Sequence, residues 1–182
     1  MASILNVDQI GHSSSGTSAI NIASDGKVTM PNTPIEIDMW RISADFTSNN
    51  SIITTWTRPT YTGYAKVGTG MTHSSGIFTF PVTGLWRVVL SFRTNLVSSD
   101  TSAGCIIELS TDSGSSFTEL AGAFENRNSN SSLHTHALIN CTDTSNFQVR
   151  IETTGLDTGS KISGHATRHD TNVMFERITD SQ

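Results

Sequence analysis

Apolar and polar residues alternate along this chain in short runs. In Phe147-Gln148-Val149-Arg150-Ile151-Glu152 the character switches at every position, which puts one set of side chains on each face of a strand. Trp86, Val88, Leu90 and Phe92 alternate in the same way with Arg87, Ser91 and Arg93 between them, and Phe78, Phe80 and Val82 line one face of the strand before. Further strands are predicted at 36–46, 52–57, 104–110, 116–124, 133–140 and 171–178, while 61–67 is left open between strand and loop. No segment carries a helical period. Short strands at regular spacing, with turn residues between them, predict an all-β antiparallel sandwich over residues 35–182.

Residues 1–34 have another texture. Ile4, Leu5, Val7 and Ile10 fall in a segment too short to hold a core, and a Ser/Gly-rich stretch follows. Residues 19–30 then read as two small strands, carrying Ile20, Ile22 and Val28, joined at Asp25-Gly26, where glycine supplies a positive φ. A lone hairpin is marginal in water. Residues 1–34 are therefore predicted to be an attachment arm that covers its apolar side chains against copies of itself or another protein. Pro31 and Pro34 end it.

The connections predict polarity. Residues 81–84, 111–115 and 141–145 read as tight turns, and 94–103, 125–132 and 153–170 as long loops. Successive connections of antiparallel strands fall at opposite ends, so the two kinds should segregate. The arm and the C-terminus are expected at the tight-turn end, leaving the long loops for display.

Composition strengthens the β reading. Ser and Thr together make up roughly 29% of the chain, high for a compact enzyme. Charged residues are 15% and the net charge is −5, with no basic run, which excludes a phosphate-binding role on nucleic acid. The longest apolar runs fall far short of a bilayer span. Met1 to Gly11 has no basic and apolar leader pattern, so the product is expected to be soluble where it is made, read as a bacterial cytoplasm. Cys105 and Cys141 lie in apolar surroundings and read as buried reduced thiols, with a disulfide as the alternative.

Candidate chemistry is sparse. There is no G-x-S-x-G elbow, and Gly68-Thr69-Gly70 lacks the downstream glycine and helix of a dinucleotide site. No enzyme activity, metal or cofactor is predicted. His134 and His136 would project from one face of a strand, where a trimer axis could gather six nitrogens, but no third ligand type adjoins them. Exposed or inter-subunit histidines are the preferred reading. Three sequons begin at Asn49, Asn130 and Asn140 and are read as chance in a Ser/Thr-rich chain. The long loops carry Asn126, Arg127, Asn128, Lys161, His165, Arg168 and His169, whose amides and cations suit sugar hydroxyls or acidic glycans. The bland alternative is that these loops are simply solvated, with His165 and His169 forming a mildly pH-sensitive patch beside Arg168.

Two resemblances add to this. Phe78, Pro81, Gly84 and Trp86 match the F-x-x-P and P-x-x-G-x-[YFW] pattern of the C1q/TNF-like family, with Phe80, Val88, Leu90 and Phe92 completing the core of that strand pair. Departures are Thr142-Asp143-Thr144, where the family usually has Gly-Asp, and a closing strand 172–178 without its usual glycine. The likeness spans residues 36–178 and implies a jelly-roll head that assembles as a homotrimer. The arm, with its opening M-A-x-I-x-x-V-D-x-I and the hairpin G-T-S-A-I-x-I-x-x-x-G-x-V-x-M-P, resembles tail-fibre and other virion proteins of phages of marine bacteria. Together they imply a structural protein of a bacteriophage particle, docked on other virion proteins through the arm, with a host-surface glycan as a candidate partner. Alternatives are a capsid decoration or head-fibre protein, a secreted C1q/TNF-like ligand and, last, a carbohydrate-active enzyme.

Overall fold

A computed structural model describes residues 9–11, 18–22, 24–26, 28–29, 35–126 and 130–182. The chain divides into two compact units, Met1–Pro34 and Ile35–Gln182. In the first, β1 (Gln9–Gly11), β2 (Ser18–Ile22) and β3 (Val28–Thr29) form an antiparallel sheet in that order. Gly26, in the turn between β2 and β3, has φ +82°. Ile10, Ile20, Ile22 and Val28 lie on these strands; Ile4, Leu5 and Val7 lie outside the described residues.

The second unit contains β4 (Ile37–Ile42), β5 (Ser51–Ile52), β6 (Trp56–Thr57), β7 (Thr72–Ser74), β8 (Ile77–Thr79), β9 (Gly84–Asn95), β10 (Ala103–Ser110), β11 (Thr118–Glu125), β12 (Ser132–Cys141), β13 (Gln148–Thr154), β14 (Lys161–Ile162) and β15 (Asn172–Thr179). One sheet runs β11-β10-β13-β8-β7, with β5 added on β13. The other runs β12-β9-β15-β4-β6, with β14 added on β9. The chain passes from one sheet to the other between β8 and β9, β9 and β10, β11 and β12, and β12 and β13, which is the winding of a jelly roll. No helix occurs among the described residues, so none there is long and apolar enough to cross a membrane.

Between the sheets, Phe78, Phe80, Trp86, Val88, Leu90 and Phe92 are all at most 2% exposed, joined by Ile107, Ile151, Val173 and Phe175, while Pro81 is half-buried. Gly84 opens β9 where a Cβ would fall 2.5 Å from Arg177 Nε and 2.8 Å from the Thr179 carbonyl oxygen, so close backbone approach requires glycine.

The predicted strand 52–57 is instead β5 and β6, on opposite sheets, because Ile53 and Trp56 are both buried and the chain crosses the core there. The predicted strand 36–46 ends at Ile42, and Phe46 makes a single bridge to Ile162.

Strand registers fix the two ends. Cys141 pairs with Gly84 and Thr179 with Leu85, so the connections 80–83 and 142–147, the start of β4 and the C-terminus share one end. The connections 96–102 and 155–171, the end of β11 and the start of β12 share the other. The contrast in length is weaker than predicted: 111–117, at the first end, is no shorter than 96–102.

Residues 58–71 are held by two buried carboxylates and by one bridge to β4, where Val67 and Ile37 exchange backbone hydrogen bonds (2.9 and 3.1 Å). Glu36 accepts from the Thr69 and Gly70 amides (3.0 and 2.7 Å). Asp38 accepts from Arg58 (2.8 Å), Tyr64 Oη (3.1 Å), Trp40 Nε1 (3.0 Å) and the Met71 amide (2.9 Å). Gly70, at φ +74°, lets the loop lie against Asp38, since a Cβ there would meet Oδ2 at 2.8 Å.

The segment ends against His73, whose ring contacts Trp40 (5.3 Å) and Phe78 (4.8 Å) and whose Nε2 accepts from the Gly76 amide (3.1 Å). Burial holds this imidazole below the usual histidine value of 6.5. The unfolded chain therefore takes up the proton first, and stability present above pH 6.5 is lost as the pH falls below it. The urea midpoint is expected to fall between about pH 7 and about pH 5, and His73→Phe should flatten that slope. An equal slope in the variant would remove His73 as its source.

Candidate interaction surface

The outward face of the sheet β12-β9-β15-β4 has a pattern that its registers make explicit. One cross-strand row is Leu138, Arg87, Glu176, Ile37; the next is His136, Val89, Met174, Met39; the third is His134, Ser91, Asn172, Arg41. The middle row is apolar across three strands, although it lies on the side of the sheet away from the core. Leu138 is 61% exposed, and Arg87 pairs with Glu176 beside it. Ile35 and Ile178 add exposed apolar area toward the end that holds the C-terminus.

A second apolar patch lies on β11, the edge strand of the other sheet. Leu120 and Phe124 alternate outward there, with Phe124 48% exposed, while Ala121 and Ala123 pack inward. Both patches are out of phase with the core, so each is apolar for a reason other than the sandwich.

His134 and His136 are exposed and flank the middle row. No group of three metal-ligating side chains occurs among the described residues. Cys105 and Cys141 are buried free thiols on different sheets; burial pushes both thiols up, Cys141 to about 11. That suits inert core thiols.

At the loop end the predicted contact residues separate. Arg127 and Asn128 lie outside the described residues, and Asn126 is exposed. Lys161, read as a loop residue, is in β14 and pairs with Asp45 (2.6 Å). Arg168 is exposed and pairs with Asp170 (2.6 Å), whose carboxyl this bond holds below the usual range. His165 and His169 do not form the solvated patch expected of them. The His165 carbonyl accepts from Arg41, and its Nδ1 accepts from the Thr167 amide (3.1 Å). His169 is half-buried against Tyr61 (5.6 Å), both ring nitrogens lack partners, and burial together with the Arg41 charge holds its pKa low. Arg41 and Tyr61, which sequence reasoning passed over, complete this cluster. The available signal was Arg41 at an outward strand position beside a Tyr-containing loop.

The jelly roll matches solved structures over most of its length. Murine APRIL at pH 8.5 aligns with a TM-score of 0.59 at 10% identity, covering 79% of this chain and 99% of that one. Eiger TNF from S. frugiperda aligns with a TM-score of 0.58 at 10% identity, covering 82% and 96%. At this identity the likeness is one of fold, and the fold is the TNF-like jelly roll. No family model matches the chain, and no curated protein matches it by sequence.

Proposed function

We propose that this protein is a non-enzymatic, homotrimeric head of a bacteriophage appendage, docked through residues 1–34 and turned with its loop end toward the host surface. The observation that carries the reading is the apolar middle row Val89, Met174 and Met39 on the outward sheet face. A lone head would leave that row and Leu138 in water. Face and edge are different patches, so a contact between them is heterologous and closes as a ring when the rotation allows; the C1q/TNF-like resemblance implies three copies. The virion location rests on the resemblance of the arm. Capsid decoration would use the same arm on a capsid lattice.

Met174→Glu puts a charge in the middle of the face without touching the core. Sedimentation is expected to shift from trimer to monomer while the β-sheet circular dichroism is retained. A variant that stays trimeric would place the interface elsewhere. The docking role is checked by deleting residues 1–34: particles carrying the truncated head at normal copy number would overturn it.

A secreted TNF-like ligand is a second reading, favoured by the fold match to murine APRIL and Eiger TNF. Antibody labelling of purified particles separates the two readings, because only the first puts this chain on the particle.

A further inference from the structure

Arg41 is an anomaly of charge. It stands on β4 with 5% of its surface exposed, yet none of the ion pairs among the described residues includes it. Its Nη1 donates to the His165 carbonyl and its Nε has no partner. Arg58, Arg150 and Arg177, also drawn into the protein, each have a carboxylate. A guanidinium taken out of water without a counter-charge is costly unless something else neutralises it.

Beside it is a pocket of about 190 Å³ lined by Arg41, Thr60, Tyr61, Ala166 and Thr167. Tyr61 is 49% exposed, and its ring meets the His169 ring (5.6 Å) and the Tyr64 ring (6.1 Å) edge-on. The pocket thus offers one cation, two threonines and an aromatic wall. It is smaller than the ~300–1,000 Å³ of sites for drug-sized ligands, so it suits a single small ring. A bare phosphate would meet the guanidinium and the two threonines but would leave the face of Tyr61 unused. A carboxylate on a ring would use both features, a charge-assisted bond at one side and stacking at the other.

We propose that this pocket binds a carboxylate-bearing sugar residue, with the carboxylate on Arg41, the ring against Tyr61 and hydroxyls toward Thr60 and Thr167. That the sugar comes from a host surface rests on the outward reading of the loop end; the binding itself does not.

The test is a calorimetric titration of the full chain with sodium glucuronate, methyl glucoside and acetate. Glucuronate is expected to bind with a Kd of about 1 mM or tighter, and methyl glucoside not at all at about 10 mM. Arg41→Met should weaken glucuronate about ten-fold or more without lowering the melting temperature, because it removes an uncompensated charge. Two surface variants keep the idea exposed if Arg41→Met does not fold. Tyr61→Ala should weaken glucuronate and leave acetate unchanged, and Ala166→Trp should block both by filling the pocket. No glucuronate binding by the parent, equal binding of methyl glucoside, or full binding by Ala166→Trp would each overturn the site. Glucuronate that binds the protein but fails to compete with particle adsorption would uphold the pocket and sink the receptor reading.

Discussion

Trp86→Ala is expected to cost about 3–5 kcal/mol of folding stability. Trp86 is fully buried between the two sheets, packs on Phe80 at 5.2 Å and donates from Nε1 to the Val82 carbonyl at 3.3 Å. Alanine would leave a cavity lined from both sheets and an unpaired carbonyl at the turn that starts β9. The neighbours cannot close the gap cheaply, since β9 is paired on both sides, with β12 and with β15. Trp86→Phe keeps much of the volume and should lose less. Guanidinium unfolding followed by circular dichroism measures both; an alanine variant with the parent's midpoint would contradict the packing described.

Asp38→Ala is expected to cost a similar amount, about 3–5 kcal/mol, by a different route. The Asp38 side chain is 1% exposed and accepts from four residues. Removing it leaves the Arg58 guanidinium without its carboxylate and the buried Met71 amide without an acceptor. Asp38→Asn restores only part, because one of its two terminal atoms becomes a donor facing donors. The 58–71 segment should loosen first, which amide hydrogen exchange over those residues would register ahead of global unfolding. Protection there equal to that of the parent would mean the carboxylate does not hold the loop.

The sandwich was legible because long strands with one buried face write alternation into the sequence. From Leu90 to Arg93 in β9 and from Gln148 to Glu152 in β13 the alternation of character is the alternation of burial. The β4 region shows why other parts were not legible. In Ile35-Glu36-Ile37-Asp38-Met39-Trp40 the apolar odd positions face out and the two acids face in, because Trp40 and Ile42 set the phase. Local hydrophobicity points the wrong way there. What reverses it is non-local: donors arriving from 58–71 and, in the proposed trimer, a neighbouring copy over Ile37 and Met39. The same holds for the loop end. Lys161 and Arg168 looked free in sequence because Asp45 is 116 residues away from its partner and Asp170 pairs only through loop geometry. Arg41 looked like a solvated strand residue because the segments that cover it are distant in the chain.

Analytical ultracentrifugation of the full chain at about micromolar concentration tests the trimer, on which the proposed role depends, most directly. The account predicts one species at three times the chain mass, stable to dilution, and its conversion to monomer by Met174→Glu. A stable monomer in the parent protein, with its outward sheet face in water, would contradict it.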